Sequence, residues 1–353
     1  MIDTVEDART EPAPNSVYDA VLLVSFGGPD GPDDVLPFLE NVLRGRNVPR
    51  ERMLEVAEHY HHFGGKSPIN DQNRVLLSSL RAELERRGPR LPVYWGNRNW
   101  HPLLTDTLRE MADAGVKRAI AFVTSGFSSY SGCRQYRENI AAACESLGDR
   151  APQIDKIRVF FNHPGFVDPM ADNVRAALGR FPAAEHPQVP VLFTAHSIPT
   201  SMADSCRYVA QLTEAARLVA AEAGATDWQL VFQSRSGPPT QPWLEPDVCD
   251  AIRERHGRGV KRLVVAPIGF ISDHMEVLYD LDTEAADLCR ELGIEMIRAA
   301  TVGTDPRFVS MVRDLIAERA WNLSHRTAVG NLPASHDVCP LDCCPAPASR
   351  RPS

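Results

Sequence analysis

No stretch of the 353 residues approaches the roughly 18 consecutive apolar residues of a membrane-spanning helix, which argues against a helical span. The segment up to Pro14 is acidic and polar and lacks the apolar core of a secretory signal, so a cytoplasmic location is expected. Basic residues are also short. The 38 Lys and Arg are outnumbered by 46 Asp and Glu, and the net charge of −8 removes nucleic acid as the default partner. Disulfides are not expected in a reducing compartment, so the eight cysteines should be free thiols. What remains is 43% apolar and 24% charged, ordinary for a globular chain, and its length suits two domains rather than one core.

Short apolar runs alternate with helix-period segments. Strands are expected at Ala20–Ser25, Pro92–Trp95, Arg118–Thr124, Ile157–Phe161, Val189–Thr194, Gln229–Gln233, Arg262–Pro267 and Glu295–Arg298. Amphipathic stretches lie between them, among them Arg74–Arg87, Gln135–Leu147, Met170–Leu178, Tyr208–Ala223 and Thr283–Leu292. Continuous apolar strands joined by crossover helices imply parallel sheets covered on both faces. The expected fold is therefore α/β, with two similar doubly wound, Rossmann-like domains, each on a four-stranded parallel sheet. Asn162-His163-Pro164-Gly165 interrupts the pattern and marks the boundary. The expected organisation is a disordered N-terminus (1–16), domain I (17–165), domain II (166–305), a closing helix (306–330) and a Cys/Pro-rich tail (331–353).

Two strand ends carry candidate chemistry. The run ending in Leu263-Val264-Val265-Ala266 leads into His274, Glu276 and Asp280, and a helix starting there would align Glu276, Asp280 and Glu284 on one face. The run Val191-Leu192-Phe193-Thr194-Ala195 ends in His196. Ligands of open α/β sheets bind outside the carboxyl ends of the strands. Imidazole from one such end and imidazole plus carboxylate from another favour a shared metal or proton-transfer site. Phosphate sites fail on spacing. A P-loop ending at Gly65-Lys66-Ser67 would need glycine where Tyr60 stands, and Gly27-Gly28 lacks the G-x-G of a dinucleotide fingerprint. His59, His61 and His62 do not share one helix face, and packing or solvent roles are expected for them.

Thr194-Ala195-His196-Ser197-Ile198-Pro199 and Ser272-Asp273-His274-Met275-Glu276-Val277-Leu278-Tyr279-Asp280 resemble signatures of the ferrochelatases. So do Leu23-Val24-Ser25-Phe26-Gly27-Gly28-Pro29, Phe63-Gly64-Gly65-Lys66-Ser67-Pro68-Ile69, Gln233-Ser234-Arg235-Ser236-Gly237 and Trp243-Leu244-Glu245-Pro246. The resemblance runs in order from about Tyr18 to about Leu323 and is closest to the actinobacterial form that inserts iron into coproporphyrin III. It implies a chelatase-like fold whose last helix packs back on domain I, with Fe²⁺ and coproporphyrin III as substrates and coproheme as product, handed to a downstream decarboxylase. His196 and Glu276 are then the residues that hold Fe²⁺ and move protons, with His274 in support and Asp280 behind them. Ser67 and Tyr136 are implied to contact the macrocycle, and Phe26, Trp243 and Phe270, with Phe127 and Tyr130, are candidate apolar walls. Phe26 stands where Firmicute members carry a tyrosine that ligates product iron, so that ligation is lost here. Protoporphyrin IX as substrate, a sirohydrochlorin or cobalt chelatase, and a haem- or Fe–S-binding sensor or carrier on the same fold stay open as alternatives.

A tetracarboxylate substrate needs local positive charge on an acidic protein. Arg44, Arg46, Arg50 and Arg52 form one basic group, and Arg134 and Arg137 another. The tail holds Cys339, Cys343 and Cys344, three cysteines in six Pro-rich residues, which is not core filling. The resemblance implies a [2Fe-2S] cluster on these three and a fourth, distant cysteine. Cys133 is the first candidate and Cys249 the second; zinc with His336 as the fourth ligand is an alternative.

Overall fold

The structure is a computed structural model, and it describes residues 17–45, 48–237 and 240–346. The expectations for residues 1–16, for Arg46 and for the end of the tail fall outside the described residues.

Eight strands form two four-stranded sheets. The first contains β1 (Ala20–Ser25), β2 (Val93–Asn97), β3 (Arg118–Val123) and β4 (Gln153–Lys156), in the order β2-β1-β3-β4. The second contains β5 (Val191–His196), β6 (Trp228–Gln233), β7 (Arg262–Ala266) and β8 (Glu295–Arg298), in the order β6-β5-β7-β8. Every pairing is parallel. In both sheets the chain lays the second strand on one side of the first and then crosses to its other side. The crevice of such a fold opens at that reversal, between β1 and β3 and between β5 and β7.

The central strands are buried on both faces, which explains their continuous apolar sequence. Along β1, Ala20, Leu22 and Val24 pack outward with the helices at Leu104–Asp113 and Gln135–Leu147, while Val21 and Leu23 face the opposite core. Sheet two repeats this arrangement, with Leu192, Leu263 and Val265 on its outer face and Val191, Phe193 and Val264 on the inner one. The inner faces share one continuous core, filled by helices Pro164–Leu178, Tyr208–Ala223 and Pro306–Ala320. Helix Pro306–Ala320 packs against Ile69–Arg87, against Pro164–Leu178 and against β3. It is fixed there by the buried Arg158–Glu318 ion pair at 2.8 Å.

Three expectations need correction. Ile157–Phe161 is buried but is not a strand; β4 precedes it, and Ile157 makes the final sheet bond to the Ala121 carbonyl. The run is apolar because it packs under Pro306–Ala320, and its stacked Phe160 and Phe122 rings lie 5.5 Å apart. The helix expected at Met170–Leu178 begins earlier, at Pro164, where the His163 ring accepts from the Gly165 amide as its cap. The Asn-His-Pro-Gly interruption is therefore a helix start, and Pro169 inside the helix hid its first turns. Finally, the tail, expected to contribute no core element, does contribute core residues. Cys344 is buried, and Leu332, Cys339 and Ala346 pack on the main core.

Candidate active site and thiol centre

Strand β5 delivers His196 at its carboxyl end. Past β7, the chain returns across it through Gly269, whose amide donates to the Thr194 carbonyl at 3.0 Å. A side chain at Gly269 would place its Cβ 2.7 Å from the Cβ of Ala195, so only glycine lets the two segments cross this closely. That crossing brings Glu276 to His196, with Nε2 to Oε2 at 3.6 Å, and His274 Nδ1 lies 4.0 Å from the same oxygen. The other nitrogen of His196, Nδ1, is held by the Ser197 carbonyl. Beyond Glu276 the helix is wound as a π-helix over Leu278–Ala285, a form that recurs at functional sites. Asp280 accepts from Ser234 Oγ and from Gln233 Nε2, both at the end of β6, and Ser234 sits in the left-handed region with φ +61°.

The charges of these groups are interdependent. Burial disfavours the His196 cation, but the Glu276 carboxylate outweighs it and pushes the imidazole up to about 9. Burial likewise opposes the Glu276 anion, and His196 overrides it, holding the carboxyl at about 2. The pair therefore rests as imidazolium and carboxylate. His274 is lowered, by burial first, so it rests neutral. Asp280 is raised to about 7, chiefly by burial, while its Ser234 bond opposes the shift and Glu276 and Glu284 add to it. Glu284 is raised by burial and by Asp247. A row of carboxyls raised above their ordinary values thus leads away from His196.

Domain I closes over this floor. Gln72 Oε1 accepts from the Asp273 amide at 3.0 Å, and His59 stacks on Tyr279 with ring centres 3.6 Å apart. Phe270 meets His274 edge-on at 4.9 Å, and Trp243 bridges to Pro199 beside His196. Ser67 is buried against Gly28, with its amide on the Pro29 carbonyl. Phe26 and Tyr136 sandwich Arg98, whose guanidinium lies 5.7 and 5.6 Å from their ring centres. Arg98 escaped the sequence reading, although it follows the carboxyl end of β2, where the strand-end rule would have pointed. Phe127 and Tyr130 are corrected from pocket wall to core. Phe127 packs edge-on to Phe166 and Tyr208, and Tyr130 bonds Glu138 at 3.0 Å. Among the basic candidates, Arg44 lines an open cavity of about 590 Å³ with Trp100 and His101, and Arg52 pairs with Glu55. Arg134 and Arg137 instead bond the tail carbonyls of Leu341, Cys343 and Pro340.

Those tail contacts frame a second centre. Cys133, Cys339, Cys343 and Cys344 line one small pocket with Arg134, Arg137 and Lys156. The Cys339 thiol bonds Cys133, and the cations of Lys156 and Arg137 help hold Cys133 as a thiolate, well below its ordinary value. Cys249 is elsewhere, against the outer core of sheet two, and its thiol is raised by burial first, then by Asp247 and Glu284. The structure brings Cys133 to the tail and leaves Cys249 away from it.

Two doubly wound sheets with a histidine–carboxylate floor at the strand ends define the chelatase class. Solved structures agree on this fold. A Bacillus subtilis subspecies spizizenii sirohydrochlorin chelatase in complex with cobalt matches with a TM-score of 0.53 at 10% identity, over 88% of this chain and 99% of that one. The Bacillus subtilis SirB structure with Fe³⁺ gives 0.54 at 11%, over 86% and 97%. Within that class, the ferrochelatase family pattern matches residues 18–320, and the chain belongs to the ferrochelatase family, enzymes of metal insertion. A ferrochelatase of Rhodopirellula baltica is 61% identical over 93% of both chains. The coproporphyrin III ferrochelatases of Streptomyces coelicolor and Streptomyces griseus are 56% and 54% identical, over 95% and 96% of both chains. Among the described residues, no helix is long and apolar enough to cross a membrane.

Proposed function

We propose that this ferrochelatase inserts Fe²⁺ into coproporphyrin III, with His196 and Glu276 as the groups that handle metal and protons. The meeting of His196 and Glu276 at 3.6 Å in the crevice of sheet two carries this reading. Insertion exchanges one Fe²⁺ for the two pyrrole protons of the ring. Iron arriving at Glu276 replaces the proton that the carboxylate holds on His196, because the dication removes the reason for that proton to stay. The displaced proton leaves by way of Asp280, which titrates near neutrality, toward Glu284 and solvent; neutral His196 then accepts the two pyrrole protons one after the other and releases each along the same row. His274 supports Glu276 from the other side. Phe26, Trp243 and Phe270 would line the ring, with the buried Tyr136 and Ser67 packed behind them, and Arg98 stacked on Phe26 and Tyr136 adds positive charge for a substituent carboxylate.

The substrate assignment is favoured by the two Streptomyces relatives, named for coproporphyrin III. The product keeps its four carboxylates, so it suits hand-over to a decarboxylating enzyme in the cytoplasm. The test is anaerobic Fe²⁺ insertion with coproporphyrin III and protoporphyrin IX side by side. Coproporphyrin III should give at least about tenfold higher kcat/KM, the scale of roughly one charge-assisted contact. Equal rates, or preference for protoporphyrin IX, overturn the assignment.

A resident [2Fe-2S] cluster is favoured by the convergence of Cys133 with Cys339, Cys343 and Cys344 in one space. Four thiol donors with Lys156 and Arg137 beside them fit an anionic cluster. Bound there, the cluster would supply a covalent tie between the tail and domain I. Iron and acid-labile sulfide in the anaerobically purified protein, both lost in Cys133→Ser, are the expected findings; a protein free of sulfide overturns this reading.

A further inference from the structure

The tail centre contains one donor more than a four-thiolate cluster uses. His336 Nε2 lies 3.8 Å from Cys343 Sγ, and the donor atoms of His336, Cys339 and Cys343 all lie within 4.8 Å of one another. Cys344 Sγ is 3.7 Å from Cys343 Sγ. A tetrahedral zinc ion with Zn–S of about 2.3 Å sets its sulfurs about 3.8 Å apart, and a nitrogen donor slightly nearer. The two pairs at Cys343, to His336 and to Cys344, thus stand near the edge lengths of a single-ion tetrahedron, and Cys344, outside the group of three, completes the set by a turn of its side chain toward His336 and Cys339. A two-iron cluster must instead spread two ligand pairs across two metals. The order His336-x-x-Cys339-x-x-x-Cys343-Cys344 also has the short spacing of structural zinc ligands.

The loop carrying these donors is fixed before any ion arrives. Arg326 pairs with Asp337 at 2.6 Å, next to His336. Arg134 Nη1 bonds the carbonyls of Leu341 at 2.9 Å and Cys343 at 3.2 Å, and the Cys343 amide closes a turn on the Pro340 carbonyl at 3.1 Å. Cys344 holds a left-handed φ of +51°, a conformation that costs a non-glycine residue and persists where its surroundings enforce it. His336 itself is exposed, which leaves the ion a way in from solvent.

We propose that the tail is also a zinc site: His336, Cys339, Cys343 and Cys344 bind one tetrahedral Zn²⁺ when no cluster occupies the centre. The two occupants share three sulfurs and exclude each other. His336 belongs only to the zinc set and Cys133 only to the cluster set, so each form has its own reporter residue.

The experiment uses the full-length protein, stripped of metal under reducing conditions and titrated with Co²⁺ and then Zn²⁺. Cobalt bound by thiolates in a tetrahedron gives intense sulfur-to-metal charge-transfer bands, and cobalt held by His196 and Glu276 does not, because neither ligand is a thiolate. One equivalent of Co²⁺ should develop these bands and one of Zn²⁺ should bleach them. His336→Ala should weaken binding by roughly tenfold or more, His336→Cys should restore it, and Cys133→Ser should bind as the parent does. Zinc should raise the melting temperature of the parent and of Cys133→Ser, and not that of His336→Ala. Unchanged binding in His336→Ala, or loss in Cys133→Ser instead, overturns the zinc site. Iron and sulfide analysis of the untreated protein decides the cluster separately.

Discussion

The Tyr208 hydroxyl donates to the main-chain carbonyl of His196 at 3.0 Å. His196 ends β5, so its carbonyl lies where the sheet ladder gives out, while the following amide still reaches Gln233. The same peptide unit leads to the Ser197 carbonyl that holds Nδ1 of the imidazole. Tyr208 therefore acts on the ring through the peptide plane. It opens helix Tyr208–Ala223 and packs edge-on to Phe127.

Tyr208→Phe keeps the ring and removes the bond. The folded protein should lose about 1 kcal/mol, the ordinary worth of one hydrogen bond. Its kcat should fall roughly tenfold or more through misalignment of His196, with porphyrin affinity unchanged. Steady-state kinetics beside a urea titration separate the two effects. Full turnover in a slightly destabilised variant would make Tyr208 a packing residue only.

Glu276→Gln tests the electrostatics of the floor. The folded value of His196, about 9, lies above its ordinary value, so the stability its charge supplies is complete below about 6.5 and is lost as pH rises through 9. Glu276 at about 2 works at the other end: its share is present above its ordinary value and lost as pH falls through 2. The pair is a third to a half exposed, so water screens much of it. Without the Glu276 carboxylate, burial of His196 is still opposed by the Ser197 carbonyl and Asp280, and the imidazole should titrate well below 9. Proton–carbon NMR of the histidine ring in metal-free protein reads this directly. A midpoint still near 9 would assign the shift to another group.

Much of this floor was legible in sequence because each piece sits at a strand end. His196 and Glu276 announce themselves by following apolar runs, and the strand-end rule puts them in one crevice. The long family motifs carried the rest of the assignment. Less visible were groups whose roles depend on chain crossings. Arg98 lies beside Phe26 and Tyr136 only after β2 pairs with β1 in register, and Tyr208 meets His196 only once its helix docks. Arg134 and Arg137 misled for the reverse reason, since a basic cluster says nothing of whether anions or carbonyls will face it. The π-helical winding after Glu276 leaves no trace in residue period, and the apolar run at Ile157–Phe161 has the same composition whether pairing or packing buries it.

The pair Arg158–Glu318 joins the link between the sheets to the closing helix, and its side chains are 0% and 6% exposed. Two nitrogens of Arg158 face Glu318 at 2.8 and 3.0 Å, and the second also donates to the Thr327 carbonyl at 2.9 Å. Val329 then bonds the Asn162 carbonyl, and Asn162 Nδ2 bonds the carbonyl of Leu332, so the chain leaving the helix is led across the same link toward the cysteines. A buried ion pair adds little over a well-packed apolar pair, but removing one partner strands the other charge without solvent. Glu318→Gln should therefore cost about 3–5 kcal/mol in urea denaturation. The double change Arg158→Met with Glu318→Leu should recover most of that loss, since Arg158 is gone and Arg326, 3.8 Å from Glu318, keeps its Asp337 partner. A single variant that unfolds at the parent's urea midpoint would show that water reaches Arg158 and that this salt bridge does not hold the closing helix.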